Sequence, residues 1–398
     1  MADRDFLNWP FLEPRHREWA AEVEEWAAAN AERLSEGGTD EACRNLARAM
    51  GEAGLLRMAV PENGRLDVRA LCIARETLAR FSGLADFAFA MQGLGTGSLT
   101  LFGSDELKAR YLPAARAGTA LAAFALSEPE AGSDVSALAT IARRDGDDWV
   151  IDGTKTWISN GGIAATYVVF ARSGEAAGAK GLTAFLVPAD TPGLHIAERI
   201  EVSAPHPLAT LRFEGMRVPD SHRLGAPGDG FKVAMATLDV FRATVGAAAL
   251  GFARHALDLT VARAGSRHLF GGPLFEQGMT QAAIAESAVD VETSALLVYR
   301  AAWLKDSGTP RVSREASMAK LHATEAAQRV ADRCVQIHGG HGVVRDHPAE
   351  KLYREVRALR VYEGASEVQR IIIARSERDI ARAERARSEE TSPCKPRS

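Results

Sequence analysis

Several short stretches of this chain carry residues whose types and spacing invite chemistry. In Arg360-Val-Tyr-Glu363-Gly364-Ala-Ser366-Glu367-Val-Gln369-Arg370, a carboxylate stands beside a glycine between two runs with helical spacing. A carboxylate placed there is open to desolvation and to close approach by a ligand, and desolvation makes it a stronger base. The plainer alternative puts Glu363 and Glu367 at the positive end of the helix that follows. Trp157 and Ser159 lie at i and i+2 in Gly153-Thr-Lys-Thr-Trp-Ile-Ser-Asn160. Strand alternation puts them on one face. A flat ring beside a hydroxyl suits stacking on a planar ligand with a hydrogen bond to a heteroatom; a core tryptophan next to a turn residue is the competing reading. Asp239 and Arg242, at i and i+3 of a long helical run, can pair with each other or meet a ligand.

Other stretches are less pointed. Phe124-Ala-Leu126-Ser127-Glu-Pro-Glu-Ala-Gly132-Ser133-Asp134 offers small residues and hydroxyls that let backbone N–H groups approach a phosphate or flat ring, and it reads equally well as an interdomain turn. Arg267-His-Leu-Phe270-Gly-Gly-Pro-Leu-Phe-Glu-Gln277 puts a planar guanidinium near a glycine pair, where it can fork onto a pyrophosphate or simply be solvated. Gln336-Ile-His-Gly339-Gly340-His-Gly342 is a glycine-rich helix end. His338, His341 and His347 match no usual metal-ligand spacing, so no metal is expected. No phosphate loop, nucleophile elbow or zinc helix is present. Gly93-Leu-Gly95-Thr-Gly97 fails as a dinucleotide loop because its third glycine is misplaced and no strand precedes it; a tight helix–helix approach is expected instead.

The elements that must position these residues follow from periodicity. From Trp9 to about Ala122 the apolar spacing is helical, as in Trp19, Val23 and Trp26. Asp145-Gly146 then marks a hairpin, with strand-like runs at Lys155–Ser159, Tyr167–Ala171, Leu182–Val187 and Thr210–Phe213. No helix fits between them, which predicts a mainly antiparallel sheet or barrel. From Phe231 a seam through Leu238, Phe241, Val245, Phe252 and Leu259 steps by three and four. Further helices are expected at 280–305, 313–337, 348–361 and 367–380, with a capping box at Ser366-x-x-Gln369. The fold class is α+β: an N-terminal helical domain over 1–122, a middle antiparallel β domain over 123–225, a C-terminal helical bundle over 226–380 and a disordered tail over 381–398.

Bulk properties exclude several function classes. With 48 basic against 52 acidic residues the net charge of −4 gives no electrostatic case for nucleic acid or a membrane surface. No apolar run suggests a bilayer span, and the first residues lack a signal-peptide core. The 4 cysteines, Cys43, Cys72, Cys334 and Cys394, form no redox or metal pair, which suits a reducing, cytoplasmic setting.

Taken together and in order, these segments resemble the acyl-CoA dehydrogenase family over about residues 15–380. The carriers are Leu126-Ser-Glu-Pro-x-Ala-Gly-Ser-Asp134, Gly153-x-Lys-x-Trp-Ile-Ser-Asn160, Arg267-x-x-Phe-Gly…Gln277 and Gln336-x-x-Gly-Gly…Tyr362-Glu-Gly364. The resemblance implies a middle β-barrel, a C-terminal four-helix bundle, usually a homotetramer, FAD, a coenzyme A thioester and an electron-transfer flavoprotein as acceptor. It implies that Phe124, Leu126, Ser127, Gly132 and Ser133 line the flavin, Ser133 also touching substrate, with Trp157 and Ser159 beside the isoalloxazine. Asp239, Arg242 and Gly364 are then substrate contacts, and Ser366 and Glu367 FAD contacts. Arg267, Phe270, Gln277, Gln336, Gly339 and Gly340 match the set that grips the FAD of a neighbouring subunit. Glu363 matches the base that takes the thioester's α-proton while the β-hydride passes to flavin, giving a trans-2-enoyl-CoA. Its own N–H and a flavin ribityl hydroxyl hold the carbonyl oxygen.

Departures from the family pattern bear on these roles. Some members carry their base immediately before the substrate arginine, and Phe241 stands there, which favours Glu363. Ala365 replaces a common threonine, Val202–Leu208 departs from the usual Lys-x-Gly-x-Arg run, and Pro61-Glu-Asn-Gly64 is short. An oxidase or monooxygenase of the same fold, and a helical binding scaffold without chemistry, are the alternatives.

Overall fold

Side-chain caps set where the N-terminal helices begin. The computed structural model describes residues 5–174 and 176–391. Pro14 opens α1 (Pro14–Leu34), with Glu13 and His16 in a reciprocal capping arrangement ahead of it. After α2 (Thr39–Glu52), Asp67 accepts from the Ala70 N–H to start α3 (Val68–Phe81). Ser82 accepts from Ala85 to start α4 (Gly83–Phe102), and Ser104 from Leu107 to start α5 (Asp105–Arg116).

The sheet follows as β1 (Ala122–Ala125), β2 (Ile141–Asp145), β3 (Asp148–Ser159), β4 (Thr166–Arg172), β5 (Leu182–Pro188), β6 (Leu194–Arg199), β7 (Leu208–Pro219) and β8 (Arg223–Leu224). Its order is β6-β7-β3-β2-β4-β5-β8, with β1 parallel to β4 and most other pairs antiparallel. The expected hairpin is present, with Asp145 paired to Asp148 across Gly146. Among the described residues β6 and β8 do not pair, so hydrogen bonds do not close the expected barrel. Alternation along β4 splits the core. Tyr167, Val169 and Ala171 pack within the sheet domain, whereas Val168 and Phe170 join the helical core. Burial on both faces explains the unbroken apolar run of this strand.

The C-terminal part consists of α6 (Gly230–Ser266), a small hairpin of β9 (His268–Leu269) and β10 (Gly272–Pro273), α7 (Gly278–Asp306), α8 (Ser313–His338), α9 (Pro348–Leu359) and α10 (Ser366–Thr391). By length and composition α6 could cross a bilayer, contrary to the sequence reading, yet it is a core helix packed on α3, α4, α7 and α8. Gly251 lets α6 touch α3: a Cβ there would lie 2.1 Å from the Glu76 carbonyl oxygen. The expectation of disorder from residue 381 is corrected, since α10 continues to Thr391. The run Ala381-Arg-Ala-Glu-Arg-Ala-Arg is rich in strong helix formers, and that outweighs its polarity. Residues 392–398, with Cys394, lie outside the described residues, as do Met1–Arg4.

Candidate active site

Glu363 lies in the turn between α9 and α10 with φ 52°, followed by Gly364 at φ 91°. A left-handed glutamate costs about 1–3 kcal/mol, so the surroundings must hold it. They do so through the next peptide. The Gly364 carbonyl accepts from Lys320 Nζ at 2.8 Å and from Gln369 Nε2 at 2.8 Å. Ser366 N–H reaches back to the Arg360 carbonyl at 3.0 Å. The expected Ser366–Gln369 capping box does not form. Ser366 is already the first residue of α10, so its hydroxyl donates to Glu325 on α8 instead, at 2.6 Å. Arg360 also pairs with Glu325 at 2.8 Å, which braces the turn on α8. Glu367 is exposed.

Charges from distant parts of the chain converge on Glu363. Its Oε2 is buried without a hydrogen-bond partner. Burial pushes its pKa up to about 7; Arg75, Lys320 and Arg242 pull against that and Asp86 reinforces it. Arg75 on α3 is itself buried, forked onto Asp86 of α4 at 2.8 Å for both bonds, and donates to Thr244 of α6 at 3.1 Å. Burial lowers Lys320 to about 8, with Glu363 the leading opposing charge. Arg242 pairs with Asp239 at 2.9 Å, as the i, i+3 spacing predicts. Its Nε has no protein partner, and burial lowers its pKa. Asp239 in turn accepts from Ser313 at the start of α8, at 2.7 Å.

Trp157 emerges by a bulge rather than by alternation. The β3–β7 register shifts between Lys155 and Ile158, Trp157 has φ 60°, and its indole is 60% exposed beside a fully buried Lys155. Ser159, next but one along the strand, is half-buried. Lys155 Nζ donates to the Leu126 carbonyl at 3.0 Å and to Glu128 at 2.8 Å. Glu128 also accepts from the N–H groups of Ala139 and Thr140. Together with the bond from Thr156 N–H to Ser127, these contacts fix the Leu126–Asp134 loop. The Phe124 ring lies tilted against Phe170 with centroids 4.9 Å apart, Leu126 is buried, and Gly132 and Ser133 are exposed. A bare, exposed indole with a hydroxyl two residues along the strand, beside a loop fixed by a buried ion pair, fits a planar heteroaromatic group such as a flavin.

Another group of the expected residues lies elsewhere. Arg267 and Phe270 follow the C-terminus of α6, Phe270 being 91% exposed with φ 52°. Gln336, Gly339 and Gly340 are exposed at the C-terminus of α8, and Gln277 is half-buried at the start of α7. Arg267 is 25 residues beyond Arg242 on α6. That is about 37 Å of helix, which sets Arg267 far along α6 from Arg242.

Arg75, Asp86, Lys320, Glu128 and Lys155 escaped the sequence reading. A signal existed for Lys320. It is a lone cation on the buried alanine face of α8, formed by Ala316, Ala319, Ala323 and Ala327. The linker Val202–Leu208 also finds a place: Arg354 of α9 donates to the Ser203 carbonyl, and the His206 ring packs on Phe87 at 4.6 Å with Nε2 3.3 Å from Glu355.

Comparison with known proteins agrees with this architecture. The N-terminal, middle and C-terminal domain patterns of acyl-CoA dehydrogenase match residues 13–119, 123–216 and 228–377. The mitochondrial short-chain specific acyl-CoA dehydrogenase of Rattus norvegicus is 43% identical over 338 residues, covering 82% of this chain and 81% of its own. Butyryl-CoA dehydrogenase of Megasphaera elsdenii superposes with a TM-score of 0.85 at 30% identity, covering 92% of this chain and 98% of its own. A chain in a structure of the electron transferring flavoprotein of Acidaminococcus fermentans matches with a TM-score of 0.86 at 35% identity, covering 92% and 98%. The protein therefore belongs to the acyl-CoA dehydrogenase family, whose members are FAD-dependent oxidoreductases.

Proposed function

We propose that this chain dehydrogenates a short-chain acyl-CoA thioester to the trans-2-enoyl-CoA, with Glu363 as the base. The observation that carries this reading is a carboxylate with a pKa near 7, its Oε2 buried and unpartnered, in a turn that other elements hold in a strained conformation. The α-proton of a thioester is weakly acidic, so a base tuned near operating pH is what its removal requires. As the proton leaves, charge builds on the carbonyl oxygen, and a preorganised donor must receive it. Among the described residues the N–H of Glu363 makes no backbone hydrogen bond, which suits it to that role. Asp239 and Arg242 are proposed to orient the thioester's CoA portion, with Ser133 and Gly364 as further contacts. Phe124, Leu126, Ser127, Gly132, Ser133, Trp157 and Ser159 would hold the flavin ring, and Ser366 and Glu367 would lie along FAD. When bound, FAD supplies the two-electron acceptor for the hydrogen leaving the β-carbon.

The short-chain reading rests on the rat relative's specificity. The reach of α6 supports assembly with further copies, proposed as a tetramer in which Arg267, Phe270, Gln277, Gln336, Gly339 and Gly340 serve a neighbour's FAD. An electron-transfer flavoprotein is the proposed acceptor, in line with the Acidaminococcus match. The free, buried Cys43, Cys72 and Cys334 suit a reducing compartment, proposed as the cytoplasm.

Anaerobic titration of the yellow protein with butyryl-CoA tests the reaction. Bleaching is expected in the parent, and Glu363→Gln should keep FAD and thioester binding but not bleach. Full bleaching by Glu363→Gln would show that the base is elsewhere, and rapid re-oxidation in air would mark an oxidase.

A further inference from the structure

Helix α4 is sealed on most sides but keeps one stripe in reach of solvent. Ala85, Ala88 and Gln92 are 0% exposed and Phe89 1%, whereas Phe87, Ala90, Met91 and Leu94 retain 9, 8, 5 and 7%. These last are spaced i, i+3, i+4, i+7, so the residual exposure runs along one face of the helix, which we read as one wall of a narrow crevice. Across from α4, Leu238 and Arg242 of α6 retain 7 and 5%. Both ends of the crevice can be identified. Asp86, one residue before the stripe, and Arg242 are among the charges that act on Glu363, which assigns the proposed base to that end. Toward the other end α6 approaches α4 closely, with Ser98 and Thr237 bonded at 3.0 Å.

The ring of Phe241 occupies the groove between these levels. A Cβ on Gly93 would lie 2.7 Å from its Cε1, and one on Gly97 3.1 Å from its Cε2. The ring is thus lodged against bare α4 backbone, 1% exposed, in the space that the glycines open. Gly93 is 7 residues beyond Asp86. That is about 10 Å along α4 between the level of Asp86 and the level of the ring. The wall is also uniformly apolar: Phe87, Ala90, Met91, Leu94 and Leu238 offer no cation. Arg75 is committed to Asp86 and Lys320 to the Gly364 carbonyl, and Arg242, paired with Asp239, is the residue proposed above for the CoA portion. An ionised carboxylate at the far end of an acyl group would be desolvated there without a partner.

We infer that Phe241 is the floor of the acyl site and restricts this enzyme to short, uncharged acyl groups. The inference rests on the dehydrogenase reading and deepens it. The test compares kcat/KM and anaerobic bleaching with butyryl-, octanoyl-, palmitoyl- and glutaryl-CoA for the parent, Phe241→Leu and Phe241→Ala, with FAD content measured for each. The parent should prefer butyryl-CoA over octanoyl-CoA by at least about 100-fold and ignore glutaryl-CoA, and the variants should narrow the butyryl/octanoyl ratio by about 10-fold or more, the scale on which pocket methylenes discriminate. Phe241→Leu opens the groove less and keeps the test valid if Phe241→Ala does not fold. A parent that turns over palmitoyl- or glutaryl-CoA as well as butyryl-CoA, or an unchanged ratio in FAD-replete variants, overturns the inference while leaving the dehydrogenase intact. A yellow parent bleached by no thioester overturns both.

Discussion

Lys320, fully buried on α8, donates from Nζ to the carbonyl oxygen of Gly364 at 2.8 Å. The bond joins the middle of one helix to the peptide that follows Gly364. It supplies position, because the left-handed Glu363–Gly364 turn is strained and must be held. It also supplies charge, because the ammonium is among the cations that oppose the upward shift of Glu363. The same contact therefore bears on where Glu363 is held and on the pH at which it ionises.

Lys320→Met should expose both contributions. Without the cation the Glu363 pKa moves further up, so the acidic limb of the kcat/KM profile for butyryl-CoA shifts to higher pH. Loosening of the turn should lower kcat beyond what the shift explains, and Lys320→Arg should recover part of it. A profile and rate equal to the parent's would reduce Lys320 to a packing residue.

The parent's own pH dependence follows from Glu363. A base must be ionised, so kcat/KM should rise with pH through about 7, where the carboxyl loses its proton. Its folded pKa lies above the ordinary value of 4.5. The ionised, buried form therefore destabilises the fold progressively as pH climbs from that value through about 7. Glu363→Gln should accordingly melt above the parent at pH 8 and level with it at pH 4, while losing about 10²–10⁴-fold in reduction rate. A variant that melts lower at pH 8 would contradict the desolvation account.

The Lys155–Glu128 pair makes a separate prediction about the loop beneath Trp157. Lys155→Met leaves Glu128 buried with only its amide donors, which should cost about 3–5 kcal/mol in denaturant unfolding. The Leu126–Asp134 loop should loosen and FAD should dissociate more readily. In the parent, Glu128 is held below the usual carboxylate range, burial opposing the shift and Lys155 the largest cause of it. Its stabilising contribution is present above pH 4.5 and is lost as acid protonates it, so the acid limb of stability should flatten in Glu128→Gln.

Complementation between inactive variants tests the neighbouring-subunit assignment. Arg267→Ala and Glu363→Gln should each fail to bleach as pure proteins. Unfolded and refolded together with FAD, they should recover a fraction of parent activity, because a Glu363 copy can borrow Arg267 from a Glu363→Gln neighbour. No recovery in mixed oligomers, with both parents refolding well, would place Arg267 in its own copy's site.

Much of this protein was legible in its sequence because the relevant signals are local. The step of three and four through Phe231–Leu259 gave α6, Asp145-Gly146 gave the β2–β3 hairpin, and the Tyr362-Glu-Gly364 run singled out Glu363, the proposed base. Local signals also misled, at the Ser366 cap and along the alanine- and arginine-rich end of α10, where cap register and helix propensity decided the outcome. The charges that tune Glu363 belong to another level. Arg75, Asp86, Arg242 and Lys320 come from α3, α4, α6 and α8, and only packing brings them to one carboxylate. The bulge that exposes Trp157 and the ring of Phe241 lodged against Gly93 and Gly97 likewise depend on partners far along the chain. Period and propensity determine which elements form, whereas burial and charge at a point depend on how those elements meet, and so the tertiary structure alone decided the electrostatics of the base and the depth of its crevice.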